Sequence, residues 1–374
     1  MRDSSANQTV EIGLIGRIPV RNLWLLMLYA SDLIRQIETK EKKAVEENPD
    51  DIPDLVAEIL TRLVERRLMR NLSSGYQERE MVLSRIRGRI DLLHTERRKL
   101  LDRGRIACRF EEQTVDTPRN RFVREALNKL SKIVNRSDLA HRCRSLSACF
   151  KRIGVHGEKP NRTDVSVDRF GRHDAGDRKM VAAAHLAYNL LLPSEAAGTK
   201  HLTSPDNEIA WIRKLFEKAI AGFYDVVLSG LEWRVYAGKI IEWPIEDKTI
   251  GIDKILPTMR TDIIVEHEKR GRRIIIDTKF TSIVTQGWYR EKTLQSGYLY
   301  QIYAYLRSQE GNGDILSDHA SGLLLHPSID EMVNEFIIIQ GHEIRFATID
   351  LGAEARVIRK QLFHVIGLSN EDIN

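Results

Sequence analysis

The sequence predicts an α/β protein, α+β overall, built as two domains, the second holding a central mixed sheet flanked by helices. Three observations carry this. The 374 residues are about twice what one domain of roughly 100–200 residues needs. A run rich in Pro, Ser, Gly and Thr, PSEAAGTKHLTSPD over Pro193–Asp206, interrupts the chain. Beyond it the order is helix, three strands, helix, strand, which suits a small mixed sheet between helices. The division is drawn as 1–195 and 196–374.

The elements follow in order. Residues 1–17 hold little pattern beyond a short strand at Ile12–Ile15. Pro19 opens a helix from Arg21 to about Ile37, because proline suits a first turn. Glu38–Asp51 is expected to be a charged loop. Pro53 opens a helix to about Leu72, with Leu55, Ile59 and Leu63 at helical spacing. Residues 80–91 alternate, so a strand would place Arg85, Arg87 and Arg89 on one face. A strand at Arg105–Phe110 precedes a helix from Arg119 to Val134, capped by Asp116 or Thr117 with Pro118. Helices over Leu139–Ile153 and Arg178–Leu191 flank a Gly-, Asp- and Arg-rich connection at 154–176.

In the second domain a helix spans Asn207–Leu228. Strands follow at Trp233–Ile241, Arg260–Val265 and Arg273–Phe280. A helix at Arg290–Arg307 and a strand at Ser321–His326 come next. Strands at Phe336–Gln340 and Glu343–Ile349 form a pair, and a helix from Glu354 to about Ile366 closes the chain.

Composition narrows the function classes. A net charge of +5 and a pI near 9.0 fit a nucleic-acid partner without establishing one, and the basic residues gather over 62–152. The cysteines Cys108, Cys143 and Cys149 are odd in number and lack CxxC spacing, which argues against a disulfide framework or a zinc site. A reducing cytoplasm is the expected location. The start MRDSSANQTV lacks a basic-then-apolar signal pattern, and Leu23–Ala30 is too short to cross a bilayer. No membrane partner is expected.

The chemistry gathers in Thr261-Asp262-Ile263-Ile264-Val265 and Ile274-Ile275-Ile276-Asp277-Thr278-Lys279. The intervening Glu266–Arg272 is polar or glycine, so the two strands form a hairpin. Asp262 begins one strand and Asp277 and Lys279 end the other, and in an antiparallel pair those ends meet. Asp277 and Lys279 are two apart and share a face. Carboxylate oxygens suit Mg2+, and a metal beside a lysine suits hydrolysis of a phosphodiester. A lone DxK also arises where charges gather at strand ends. Here, however, Asp277 follows three isoleucines, as in a buried strand where a charge is costly unless used or paired.

Gln301 and Tyr305 lie four apart on the following helix and share a face. Packing accounts for at least one of Tyr303 and Tyr305; Tyr305 is also a candidate contact to DNA or a partner. Together these pieces resemble the PD-(D/E)xK nuclease superfamily, in its branch with a QxxxY helix. That superfamily often adds an acid from the helix before the sheet. Glu217 is chosen over Glu208, with a solvated helix face as the alternative.

The chain also resembles McrC, the nuclease subunit of McrBC-type modification-dependent restriction systems. The resemblance runs through Ile18-Pro19-Val20-Arg21-Asn22-Leu23, Ile86-Arg87-Gly88-Arg89-Ile90-Asp91, Asp116-Thr117-Pro118-Arg119-Asn120-Arg121, Thr261-Asp262, Asp277-Thr278-Lys279 and Gln301–Tyr305. These blocks span 18 to about 350. It implies an N-terminal part that docks on an AAA+ GTPase ring similar to McrB and stimulates its hydrolysis. It further implies a C-terminal domain that cuts double-stranded DNA with Mg2+, for which Mn2+ can substitute. Asp262 and Asp277 would be metal ligands and Lys279 the catalytic lysine, with Gln301 and Glu217 in the same site. Recognition of a modified base would belong to the partner. The 374 residues contain no GxxxxGK[ST] loop, so no nucleotide is expected on this chain alone.

Arg85, Arg87 and Arg89 keep three readings: a grip on the motor ring, contact with DNA phosphates, or a solvated strand edge. Arg21 belongs with them as a partner contact or, with Asn22, as a structural tie. Two rival functions stand beside the nuclease. One is a non-catalytic activator of the ring. The other is a stand-alone RecB-like repair nuclease, whose Cas4-type relatives carry iron–sulfur cysteines.

Overall fold

Pro19, with φ −57°, stands at the N-cap of the first helix, α1 (Val20–Tyr29). The protein is described here by a computed structural model over residues 17–158, 160, 175–191, 205–285, 293–329 and 332–368. The expected strand at Ile12–Ile15 and most of the 154–176 connection lie outside the described residues. α1 is shorter than expected: Ala30 closes it by bonding to Leu26 and Leu28, and only a 3-10 turn, Ile34–Gln36, follows. The expected loop Glu38–Asp51 instead contains α2 (Thr39–Glu47). It lacks a broad apolar stripe, so periodicity missed it. The Glu38 N–H donates to the Glu41 carboxylate at 3.3 Å, the reach-back of a capping box.

The chain forms two units, Pro53–Leu191 and Met1–Ile52 together with Leu192–Asn374. A single cut at 195 therefore misassigns the first segment. The physical reason is specific. Asn22 Nδ2 donates to the carbonyls of Leu351 and Ala353 at 2.7 and 2.9 Å, and Arg359 NH1 pairs with both Glu46 oxygens at 2.9 and 3.0 Å. Linear composition cannot show bonds that close over more than 300 residues.

In the unit Pro53–Leu191, α3 (Ile52–Leu68) leads to β1 (Gly75–Leu83), β2 (Arg89–Ile90), α4 (Leu92–Arg97) and β3 (Ile106–Thr114). The strands make an antiparallel sheet in the order β1-β3-β2. The expected continuous strand through Arg85, Arg87 and Arg89 does not form. Ser84–Gly88 is an irregular, bent segment, so the three arginines do not share one strand face. Gly88 breaks the strand. It has φ +67°, and a Cβ there would lie 2.5 Å from the Arg109 carbonyl. Arg87 instead lays its guanidinium 4.0 Å over the Phe110 ring.

The helices α5 (Pro118–Leu130), α6 (Ser137–Ile153) and α7 (Ala175–Asn189) complete this unit. Thr117 caps α5 by accepting from the Asn120 N–H at 3.3 Å. The run Asp116–Arg121 is spent on internal bonds. Asp116 pairs with Arg121 at 2.7 Å, Asn120 Nδ2 donates to the Ser73 and Val115 carbonyls, and Arg119 pairs with buried Asp177 at 2.8 Å.

In the other unit α8 (Pro205–Val227) precedes β4 (Arg234–Ala237), β5 (Ile240–Ile241), β6 (Met259–Arg260), β7 (Ile263–His267) and β8 (Arg272–Thr278). A two-stranded pair follows, β9 (Val284–Thr285) with β10 (Thr293–Leu294). The rest is α9 (Ser296–Ser308), α10 (Ile315–Asp318), β11 (Ser321–Ser328), β12 (Asn334–Ile339), β13 (His342–Asp350) and α11 (Ala355–Val365).

The six-stranded sheet runs β12-β13-β11-β8-β7-β4 and is mixed as expected: β8, β11 and β13 are parallel neighbours, the remaining pairs antiparallel. Central β7 and β8 are mostly buried, with the apolar runs Ile263–Val265 and Ile274–Ile276 at their cores, because both faces are covered. One face meets α9 through Ile264, Ile275, Ile302, Leu306, Leu324 and Phe346. Gly222 on α8 lets α1 approach: a Cβ there would sit 1.9 Å from the Tyr29 carbonyl oxygen. No helix among the described residues is long and apolar enough to cross a membrane.

Candidate active site

The β7–β8 hairpin sets the first distances. Ile263 pairs with Ile276, so Asp262 and Asp277 fall opposite each other one step further along. The turn closes through a 3-10 segment and Gly271 at φ +59°. Asp262 is anchored by its backbone and side chain together. Its carbonyl accepts from the Gly238 N–H at 2.8 Å, and its Oδ2 accepts from Thr278 N and Oγ1 at 2.7 and 2.9 Å.

Asp277 ends the apolar run of β8 and is 1% exposed. Neither of its carboxylate oxygens takes part in a hydrogen bond among the described residues. The Lys279 ammonium stands 2.8 Å from Asp277 Oδ2 as an ion pair. Burial pushes the Asp277 carboxyl up to about 6; Lys279 opposes that rise, while Asp262 and Glu217 add to it. Lys279 extends the sheet beyond β8 by donating its N–H to the Leu325 carbonyl at 3.0 Å.

A relay holds that lysine. Its Nζ donates to Gln301 Oε1 at 3.1 Å, Gln301 Nε2 donates to Tyr305 Oη at 2.7 Å, and Tyr305 Oη donates to the Arg260 carbonyl at 2.9 Å. The spacing of four between Gln301 and Tyr305 thus ties Lys279 back to the segment that carries Asp262. Tyr305 does not serve as a DNA or partner contact in this arrangement. It is only 7% exposed, and its hydroxyl is engaged inside the protein.

Glu217 reaches the same place from α8. Its carboxyl is raised by partial burial and then by Asp262. The solvated-face alternative for Glu217 therefore does not describe its surroundings; the side chain of Glu208 lies outside the described residues. Glu217, Asp262 and Lys279 line one cleft of about 720 Å³ with Arg213, Lys214, Lys218, Arg260, Thr281 and Tyr298. The last six escaped the sequence reading. The signal for those on α8 was their spacing around Glu217: positions 210, 213, 214, 217 and 218 form one helical stripe. Arg85, Arg87 and Arg89 are exposed in the other unit, and Arg21 is exposed on α1. None of the four is among the described residues lining the cleft.

His326 lies behind Lys279 on β11. It is 2% exposed, with Nδ1 2.9 Å from the Thr281 carbonyl, and burial lowers its pKa to about 4. A neutral imidazole there steadies the loop after Lys279 and adds no charge to the cleft.

The donor set fits a hard divalent cation. Two facing carboxylates and a nearby glutamate offer only oxygen, and the hydrogen-bond-poor Asp277 carboxylate leaves lone pairs unspent. Among the described residues no three His, Cys, Asp or Glu side chains are gathered closely enough to enclose a metal.

Fold and cleft define a class: an α/β protein whose mixed sheet carries an acidic, lysine-bearing pocket at the ends of two central strands. The chain belongs to the family of McrBC 5-methylcytosine restriction system components, whose model matches residues 4–317. A curated relative, the type IV methyl-directed restriction enzyme EcoKMcrBC of Escherichia coli K12, is 24% identical over 353 residues, 93% of this chain and 97% of its own. The refined half-complex from a tetradecameric assembly of Thermococcus gammatolerans McrB AAA+ hexamers with bound McrC aligns at 14% identity, covering 84% of this chain and 68% of its own, with a TM-score of 0.38. The cryo-EM structure of the Thermococcus gammatolerans McrBC complex aligns at 10% identity, 49% and 60% coverage and a TM-score of 0.32.

Proposed function

We propose that this chain is the DNA-cleaving subunit of a restriction system. It hydrolyses phosphodiesters of double-stranded DNA with Mg2+, or Mn2+ in its place, when assembled with a McrB-like AAA+ GTPase ring in the cytoplasm. It also stimulates nucleotide hydrolysis by that ring. The observation that carries this reading is the meeting of Asp262, Lys279 and Glu217 at one cleft, with Asp277 and Gln301 engaging Lys279 behind it. Membership of the McrBC family and the restriction activity in the name of the Escherichia coli relative support it.

Asp262 and Asp277 would hold the metal, with Glu217 at its edge. A divalent cation held there would supply Lewis acidity toward the phosphodiester and help ionise the attacking water. Lys279 orients the attacking water and offsets charge growing on the phosphate. Gln301 fixes the direction of the lysine, because the Tyr305 hydroxyl behind it is itself tied to backbone. Arg21, Arg85, Arg87 and Arg89 are assigned to the ring, and recognition of the modified base is assigned to the partner.

The test is plasmid cleavage by the full chain with its ring partner, Mg2+ and GTP, comparing wild type with Asp277→Ala. Cutting by wild type and a loss of at least a hundredfold in the variant are expected. Equal cutting by both proteins removes the assignment of the site. No cutting by either, with nucleotide hydrolysis still stimulated, makes the chain a non-catalytic activator.

A further inference from the structure

We infer that one stripe of α8 is a phosphate rail, with Lys214 and Lys218, flanked by Arg213, gripping the DNA strand that passes the acidic floor of the cleft. The inference rests on the nuclease reading and adds to it the surface that holds the substrate. Three observations lead to it.

The first is spacing. Positions 213, 214, 217 and 218 fall on one side of α8, while Ile212, Leu215, Phe216, Ala219 and Ile220 are buried on the other. Lys214 and Lys218 are one turn apart, about 5.4 Å along the axis, a step comparable with that between neighbouring phosphates on a strand. The second is placement. Both lysines are exposed and line the same cleft as Asp262 and Lys279. Arg260 joins them from β6, where Gly238 gives its guanidinium room: a Cβ on Gly238 would lie 2.5 Å from it.

The third is composition. Five of the described lining residues are cations, Arg213, Lys214, Lys218, Arg260 and Lys279, three of them on α8, against two acids, Glu217 and Asp262. A cleft meant for a small anion would enclose it with cations. An acidic floor with a basic bank along one edge fits a polyanion that must come close to the carboxylates without being repelled. The bank supplies sequence-independent affinity, since lysines on phosphates carry no base readout.

The experiment measures binding of a labelled duplex of about 20 base pairs by fluorescence anisotropy. The parent is the full chain carrying Asp277→Asn, in chelator, so that binding is read without cleavage. Adding Lys214→Gln and Lys218→Gln is expected to weaken binding roughly tenfold and to reduce the salt slope by about 2, equally on methylated and unmethylated duplex. Lys214→Arg with Lys218→Arg is expected to retain both affinity and slope. Unchanged binding by the glutamine pair overturns the rail. So does a loss confined to one methylation state, which would mean base readout. A parent that binds no duplex also overturns the rail, and the nuclease reading is then judged separately by plasmid cleavage in the assembled complex.

Discussion

Among the described residues each unit holds one aspartate no more than 1% exposed, and the two are treated in opposite ways. Asp177 in Pro53–Leu191 is 0% exposed and sits between two guanidinium groups, Arg119 at 2.8 Å and Arg67 at 3.0 Å. Asp277 in the other unit is as deeply buried, yet its carboxylate has a lone ammonium at 2.8 Å and two further carboxyl groups raising its pKa. The first arrangement ties α5 to α3 and α7. The second stores an unmet demand for positive charge beneath Lys279, which lines the cleft. A buried charge with its partners in place holds structure together; one left short of partners marks a place for chemistry.

The largest effect is expected at Asp177. Asp177→Asn removes the carboxylate charge that Arg119, itself 5% exposed, and Arg67 share, and should cost on the order of 3–5 kcal/mol in urea unfolding. A loss below about 1 kcal/mol would mean that this pair is not structural in the sense argued. The matching change at Asp277 should have the opposite sign.

A carboxyl raised from its ordinary 3.8 to about 6 binds its proton more tightly when folded. Stability in chelator therefore falls as pH rises from about 4 through about 6 and stays flat above, a cost of up to about 3 kcal/mol. Asp277→Asn removes that cost, so the variant should be more stable than wild type at pH 8 and converge with it near pH 4. Parallel pH profiles for the two proteins would show that Asp277 is not destabilising.

The smallest effect concerns the segment that joins the second unit from a distance. Asn22→Ala removes two bonds to the Leu351 and Ala353 carbonyls and should cost about 1–2 kcal/mol. A change within about 0.5 kcal/mol, read from the same urea curves, would make Asn22 a surface residue in effect.

The hairpin could be read from the sequence because each strand holds a run of three apolar residues and the two runs flank a polar turn, and register then forces Asp262 and Asp277 together. The QxxxY pair could be read because helical spacing alone puts Gln301 and Tyr305 on one face. The Arg85–Arg89 strand could not. Alternation suggested extended chain, but Gly88 takes a left-handed conformation against the Arg109 backbone. Helix α2 was missed for a related reason. Only Val45 of its apolar positions is deeply buried, and periodicity needs a stripe.

By itself the sequence determined the α/β class, most element positions, and the meeting of Asp262, Asp277 and Lys279, since local period and strand pairing act over short distances. Only the tertiary structure decided that residues up to Ile52 join the C-terminal unit, that Tyr305 works from inside, and that α8 brings Glu217 and its lysines to the cleft. Those outcomes depend on which apolar faces cover one another and on bonds between residues hundreds of positions apart, and no local pattern encodes such contacts.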